Sequence, residues 1–329
     1  MKTLTALKKV VLLAVITVFA FSCDDDDNPI QVPQTKNIVE LAQGSPTLSN
    51  LVAALQAADG DLVSVLSGTG PFTVLAPTDE AFAAFLDDNN FATLADVPAA
   101  VLTQILLNHV ITGKTMASDL IAAGAGYTST NAAGPGESNL SLYFNTSSGV
   151  VFNGISTVDT PDIEARNGVI HIVDKVIGLP TVVTFATADP NFSTLVSALT
   201  TLTPATDFVA TLSTPFDTAP APFTVFAPTN DAFAKLAAVP AEPVLTQVLL
   251  HHVIGEANVR SADLTPNGDT TAATLQGDSV TITLPGTNGN IADMTDGAGN
   301  TGIGITAVDV QASNGVIHVI DTVLLPTQP

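Results

Sequence analysis

The chain has one cysteine, no tryptophan and two tyrosines among its 329 residues. One cysteine cannot form an intramolecular disulfide, and it cannot build a cysteine-based zinc or iron–sulfur site. Basic residues are also scarce: 9 lysines and arginines stand against 31 acidic residues, and the formal net charge is −22. Such an acidic chain repels phosphate backbones, which argues against nucleic-acid binding.

Long apolar runs are lacking as well. After the first 22 residues, no stretch approaches the roughly 20 apolar residues that a membrane-spanning helix needs. Hydrophobic residues nevertheless make up 46% of the chain and charged residues only 12%. This composition predicts folded domains rather than disorder, and the length permits two domains that each bury a core.

Residues 1–22 have the order of a secretory signal peptide: lysines first, an apolar stretch over residues 10–21, and then Ser22. The single cysteine, Cys23, follows directly, as it does in bacterial lipoprotein signals, in which this cysteine receives the lipid. The strict form of that signal has leucine three residues before the cysteine, where this chain has Ala20. We expect a lipoprotein signal peptide and lipidation at Cys23; the alternative is an ordinary signal peptide with an incidental cysteine.

Four consecutive carboxylates, Asp24 to Asp27, come next. Like charges at this density repel one another and stay solvated. The run resembles the acidic export signal that sends lipoproteins of some bacteria to the outer face of the outer membrane, and a plain spacer is the alternative. Residues 23–36 are therefore predicted to be an acidic, proline-containing tether that leaves the protein on the cell surface.

The rest of the chain contains a long internal repeat, which is the main feature of the sequence. Four segments recur in the same order, at offsets of 143 to 151 residues: 48–55 at 192–199, 72–82 at 223–233, 106–110 at 249–253 and 167–174 at 314–321. The offsets differ only by amounts that loops can absorb. Two tandem domains are predicted, over residues 37–180 and 181–326, and the second has about seven extra residues within 200–222.

Each copy reads as helices followed by strands. In domain 1, Leu48, Leu51, Val52 and Leu55 share one helical face after the start signal Ser45-Pro46, and residues 72–76 read as a buried strand. Thr78 is placed to cap the next helix, and Pro98 to start another. Short strands are expected at 140–144, 150–153, 156–158 and 169–177. This order predicts an α+β fold with a helical layer packed on a small β sandwich.

The Phe-Thr-Val-x-Ala-Pro-Thr segments at 72 and 223, and the Asn-Gly-Val-Ile-His segments at 167 and 314, resemble the two signature segments of the fasciclin family. The resemblance extends over residues 37–326. It implies two fasciclin-like domains, each a wedge-shaped β sandwich flanked by helices. It also implies a role in cell adhesion or extracellular-matrix contact. We expect no cofactor.

All five histidines lie in the repeated segments, and His171 and His318 stand in apolar strand runs. A buried imidazole must be hydrogen-bonded. The resemblance implies that the two signature segments lie side by side. On that basis Thr78 or Asp79 is the expected partner of His171, as Thr229 or Asn230 is of His318. A Thr–His–Asp catalytic arrangement is the alternative, but Asp79 is replaced by Asn230 in the second copy. The sequence also has no Gly-x-Ser-x-Gly, His-Glu-x-x-His or Walker motif.

A second candidate site is the end of the long helix. In animal fasciclin domains a Tyr-His segment at this point has been tied to integrin binding. The matching pairs here are Asn108-His109 and His251-His252, which lack the tyrosine. These four residues are predicted to form a contact surface, and a purely structural helix end is the alternative.

Other ligands are weaker possibilities. Residues 293–300 are rich in oxygen-bearing side chains, yet they fit no EF-hand spacing and match the composition of turns. Glycan binding would depend on Tyr127 and Tyr143, because there is no tryptophan. The sequence therefore predicts a non-enzymatic surface adhesion protein that binds a protein or matrix ligand, a class that includes a second copy of the chain. A glycan- or calcium-dependent module and a structural envelope or biofilm component are the alternatives.

Overall fold

The computed structural model describes residues 36–327. The expected signal peptide, the lipidation site Cys23 and all but the last residue of the tether lie outside this range. Within it, the chain forms two copies of one arrangement, and each copy begins with helices and continues into a sheet. No helix in the described range is long and apolar enough to cross a bilayer.

Domain 1 contains the helices α1 (Ile38–Gln43), α2 (Ser49–Ala57), α3 (Leu62–Ser67), α4 (Asp79–Asp88), α5 (Ala99–Asn108) and α6 (Ala117–Ala123). Its strands are β1 (Phe72–Pro77), β2 (Val110–Thr112), β3 (Ala125–Ala133), β4 (Asn139–Asn145), β5 (Val151–Phe152), β6 (Ser156–Ala165) and β7 (Gly168–Val173).

Domain 2 contains the helices α7 (Val182–Ala188), α8 (Ser193–Thr200), α9 (Phe208–Leu212), α10 (Asn230–Ala234) and α11 (Val244–Leu250). Its strands are β8 (Phe223–Pro228), β9 (Val253–Ile254), β10 (Asp269–Ala273), β11 (Ser279–Thr283), β12 (Ala292–Thr295), β13 (Ile303–Ala312) and β14 (Gly315–Ile320).

Each domain has a seven-stranded sheet, ordered β2-β1-β7-β6-β5-β4-β3 in domain 1 and β9-β8-β14-β13-β12-β11-β10 in domain 2. The two signature segments form the one parallel pair of each described sheet. Phe72 lies opposite Gly168 and Leu75 opposite His171, and the same register recurs between β8 and β14. The side-by-side placement that the resemblance implied is thus confirmed.

The sheet of domain 1 folds over itself to form the wedge. The register of β6 against β7 shifts at two points, where bulges bend the strand. The bend brings the two edge strands of the sheet together. A hydrogen bond of 2.8 Å from the hydroxyl of Thr112 on β2 to Asn131 Oδ1 on β3 joins them. One apolar cluster fills the fold of the sheet, and a second lies between the sheet and helices α1 to α5. The predicted α+β class with a helical flank is confirmed.

Local sequence explains where the helices begin. Thr78 Oγ1 accepts from the backbone N–H of Ala81 at 3.1 Å, so it caps α4 as predicted. Helix α5 begins directly after Pro98, also as predicted. Helix α2 begins at Ser49, later than Ser45-Pro46 suggested, because those residues lie in a turn between α1 and α2.

The two domains pack against each other through the β3–β4 face of domain 1. Tyr127 and Tyr143 meet there, with ring centroids 5.1 Å apart, and Tyr127 also packs edge-on against Phe185 of α7 at 5.7 Å. The Tyr127 hydroxyl donates to Asp189 Oδ2 at 3.0 Å. Tyr143 belongs to the apolar core of domain 2, so the two copies share a continuous interior.

Candidate functional site

His171 joins three elements of domain 1. It lies in β7 with 1% of its surface exposed. Its Nδ1 accepts the backbone N–H of Asp162, at the β6 bulge, and its Nε2 donates to the carbonyl of Thr115 at 2.9 Å. The Asp162 carboxylate in turn accepts the N–H of Ala117 at the start of α6. Both ring nitrogens are therefore used within the fold.

His318 repeats this arrangement in domain 2. Its Nδ1 accepts from the backbone N–H of Asp309 at 3.5 Å, and its Nε2 donates to the carbonyl of Val259 at 2.8 Å. Burial lowers the pKa of His318, because the charged form would lose its hydration. The imidazole is therefore neutral at physiological pH.

Thr78 and Asp79 do not bond to His171, and this corrects the expected pairing. The parallel register places Leu75 opposite His171, so Thr78 lies three residues farther on, beyond the end of β1. Asp79 instead accepts from the hydroxyl of Ser49 and from the backbone N–H of Asn50, both at 2.7 Å. It therefore satisfies the N-terminus of α2 rather than orienting a histidine.

Thr229 and Asn230 do not bond to His318 either. Thr229 Oγ1 accepts from Ala232 N–H at 3.2 Å and caps α10. Asn230 Oδ1 accepts from the N–H of Thr194 at 2.9 Å, and its amide donates to the carbonyl of Pro190 at 2.9 Å. The replacement of Asp79 by asparagine thus keeps the acceptor at the N-terminus of the equivalent helix.

His109 and His252 are the second matched pair, and both have 2% of their surface exposed. Nδ1 of His109 donates to the carbonyl of Ile105 at 2.7 Å, and Nε2 accepts the N–H of Ile177 at 2.9 Å. His252 makes the same contacts with Val248 and Leu324. Burial lowers the pKa of each histidine to about 4.

Asn108 and His251 precede these histidines and are fully buried. The Asn108 amide donates to the carbonyls of Ile177 and Gly178, while Thr130 donates to its oxygen. Nδ1 of His251 donates to Thr274 Oγ1 at 3.1 Å, and its Nε2 accepts the N–H of Gly297 at 3.0 Å. Burial lowers the pKa of His251.

The predicted contact surface at the end of the long helix is therefore wrong. Asn108, His109, His251 and His252 are 0, 2, 0 and 2% exposed, and a partner cannot reach them. The reason is that the last residues of each domain, near Ile177 and Leu324, pass across the helix end and take up its polar groups. These four residues have a structural role at the helix end, which was the alternative to a contact surface.

Asn167 and Asn314 are structural residues that the sequence reasoning did not single out. Asn167 Oδ1 accepts the N–H of Ile38, and its amide donates to the carbonyls of Leu66 and Gly68, each at 2.8 Å. Asn314 binds the N–H of α7 and the end of α9 in the same way. The repeated Asn-Gly pair is the sequence pattern that could have indicated this role. Its asparagine lies in the turn between the last two strands of each domain and binds the first helix of that domain.

The remaining candidate ligands find no open site. Asp296, within the oxygen-rich segment, is 4% exposed and accepts from the N–H groups of Asn300 and Leu325. Across residues 36–327, no three histidine, cysteine, aspartate or glutamate side chains are grouped to hold a metal ion. Tyr127 and Tyr143 lie in the domain interface, so they do not form the exposed patch on which a glycan would stack.

The chain is similar to known proteins. The Fasciclin domain model matches residues 46–180 and 190–326. Protein sll1483 of Synechocystis is 41% identical over 140 residues, which are 43% of this chain and 72% of that protein. Human periostin is 30% identical over 271 residues, which are 79% of this chain and 29% of periostin. The solved FAS1 domain pair of the insect cell adhesion molecule fasciclin I is 21% identical, covers 85% of this chain and 97% of that structure, and gives a TM-score of 0.48.

Proposed function

The chain belongs to the fasciclin family, and from that premise we propose that it is a non-enzymatic adhesion protein of a bacterial cell surface. In this proposal residues 1–22 are a signal peptide, Cys23 carries the lipid, and residues 23–36 tether the domains over 37–180 and 181–326. The ligand is a protein or matrix component, and a second copy of the chain belongs to that class.

One observation carries the non-enzymatic part of the proposal. All five histidines are buried, and every one of their ring nitrogens is hydrogen-bonded within the fold. A general base must be able to reach a substrate proton, and these imidazoles have no such access. The repeated polar residues hold the domains together, which leaves recognition to the outer surface.

Surface display is tested first, by protease and antibody accessibility on intact cells. The wild type is compared with Cys23→Ala and with a variant in which residues 24–27 are alanine. Cleavage of the wild type with protection of the alanine-run variant supports display directed by the acidic run. Protection of the wild type would contradict surface display and place the protein on the inner side of the envelope.

Adhesion is then tested by aggregation of cells that express the wild type, with Cys23→Ala as the unanchored control. Saturable aggregation that purified protein inhibits, and that chelator and free sugars leave unchanged, supports protein-mediated adhesion. Loss of aggregation on chelation, or on addition of sugars, would favour the calcium- or glycan-dependent alternative. Aggregation that depends on the gene but that purified protein never inhibits would favour a structural envelope role.

A further inference from the structure

Each domain has an apolar cavity at the same place, between its first helices and its parallel strand pair. The cavity of domain 2 has a volume of about 50 Å³, and that of domain 1 about 10 Å³. A single water molecule needs roughly 10–15 Å³ by this measure, so domain 2 has room for several carbon-sized groups. The two are equivalent, because the residues that line the smaller cavity, such as Val39, Ala42 and Leu55, correspond to lining residues of the larger one.

The lining of the domain 2 cavity offers no free side-chain hydrogen-bond donor. Its polar side chains are those of Thr187, Thr200 and His252. The two threonine hydroxyls donate to carbonyls of their own helices, at 3.0 and 2.7 Å. Both nitrogens of His252 are used as described above. A polar group of a ligand therefore finds no side-chain donor there, and hydrocarbon is what burial in this cavity stabilises.

The cavity opens to solvent in domain 2 and is closed in domain 1. Val183, Ala186 and Leu199 are partly exposed at its mouth, and Val209 is 41% exposed. The domain 1 counterparts Val39, Ala42 and Leu55 are 4, 2 and 5% exposed. Longer loops on both sides of α9 accompany the opening, because the chain between α8 and β8 carries the extra residues of domain 2.

Charge narrows the class of ligand. Residues 181–329 hold 13 acidic and 2 basic side chains, a net charge of −11. A carboxylate or sulfate head group near this domain is repelled, whereas an uncharged head group is not.

We propose that the cavity between α7, α8 and α9 of domain 2 binds the end of a hydrocarbon chain whose head group is not anionic. A few methylene groups enter the cavity, and the rest of the chain lies along the apolar mouth. This site is separate from the adhesion function, since it needs no partner cell and no surface display.

The test uses 1-decanol as the probe and sodium decanoate as its anionic counterpart, with the mature protein labelled at its methyl groups for NMR. Decanol is expected to shift methyl signals of Val183, Val196 and Val209 in a saturable way. Ala186→Leu, at the mouth, is expected to weaken decanol binding about tenfold, as the loss of roughly two buried methylene groups requires. Decanoate is expected to bind more weakly than decanol.

Ala84→Leu is the matched control, because Ala84 is exposed on α4 of domain 1, away from the cavity. If Ala186→Leu lowers the melting temperature, Val209→Glu replaces it, since an exposed side chain can be changed without repacking. Weakening by Ala186→Leu or Val209→Glu, with Ala84→Leu unchanged, supports the site. Shifts spread equally over both domains, or equal weakening by the control, would overturn it.

Discussion

The repeated histidines act as internal fasteners, each joining segments that are distant in sequence. His171 links β7 to the β6 bulge and to the segment before α6. His109 links the end of α5 to Ile177 at the end of its domain. Satisfied polar groups of this kind fix a single arrangement of the elements around them.

Replacement of His171 by alanine should lower the free energy of unfolding by about 1–3 kcal/mol. The loss follows because the N–H of Asp162 and the carbonyl of Thr115 would lose their partner in a partly buried place. Urea denaturation of the purified mature protein measures this change. A variant that keeps wild-type stability would contradict the fastening role.

Acidification should destabilise the protein through His109 and His252. Their pKa values in the folded protein are about 4, below the value near 6.5 of the unfolded chain, because burial disfavours the charged form. The unfolded chain therefore binds more protons between these values. Stability is fully present above pH 6.5 and is lost as the pH falls toward 4, by on the order of 3 kcal/mol for each histidine.

Urea denaturation at a series of pH values from 7 to 4.5 checks this expectation. The part of the window from pH 7 to about 5.5 lies above the range in which ordinary carboxylates titrate, so the slope is compared there, where histidine dominates. His252→Asn should make the decline shallower. A decline of unchanged slope in that variant would assign the effect to other groups.

At the residue scale, the sequence located the motifs but not their partners. Burial and hydrogen bonding of His171 followed from its place in an apolar strand. The partner did not follow, because it depends on a register that puts Leu75, and not Thr78, beside the histidine. The sequence predicts a surface position for Asn108, because the segment that covers it lies about 70 residues later in the chain.

At the scale of elements, the N-termini of α2 and α8 show how the two copies solve one problem with different residues. Asp79 at the start of α4 and Asn230 at the start of α10 accept the N–H of the second residue of α2 and of α8, respectively. Neither helix has a capping side chain of its own. The borrowed acceptor ties adjacent helices into one layer.

Asp79→Asn should therefore change stability by less than about 0.5 kcal/mol, since domain 2 uses asparagine at this place. Asp79→Ala should destabilise the protein by about 1–2 kcal/mol, because two donors of α2 lose their acceptor. Thermal or urea unfolding of both variants makes the comparison. Equal losses for asparagine and alanine would show that the charge, rather than the acceptor, is what matters.

Most elements could be predicted from sequence because their patterns are strong. The strand at β1, the cap at Thr78 and the start of α5 are examples. Strand β3 was missed, since Ala125–Ala133 is built from small and polar residues without alternation. It is a strand because it pairs with β4, which is a tertiary cause that no local pattern records.

At the scale of the whole molecule, the two domains pack against each other and are not independent modules joined by a linker. The shared aromatic contact and the bond from Gln311 N–H to Ser141 Oγ, at 2.9 Å, join them. Domains that share a buried interior are expected to unfold together. The internal repeat does not predict this contact, because domain 1 contributes its β3–β4 face and domain 2 contributes its α7 face, and these are not equivalent parts of the repeated fold.

Tyr143→Ala should separate the unfolding of the two domains. Tyr143 is a domain 1 residue that is 2% exposed and packs in the apolar core of domain 2. Its replacement by alanine removes an aromatic ring from the contact between the domains. Differential scanning calorimetry should show one transition for the wild type and two for the variant. Tyr127→Phe, which keeps the ring and loses the bond to Asp189, should keep a single transition at a lower temperature.

The contact between the domains also sets how many copies can be joined in this way. It is heterologous, since the β3–β4 face of one copy meets the α7 face of the next, and such contacts can in principle propagate into a fibre. The β10–β11 face of domain 2 and the α1 face of domain 1 are the equivalent faces that this contact leaves unused, and they lack the corresponding aromatic residues. By strand register, Thr271 and Thr281 take the places of Tyr127 and Tyr143, and Leu41 takes the place of Phe185. The outer faces of the described pair therefore do not carry the aromatic residues with which this contact would be repeated by a further copy.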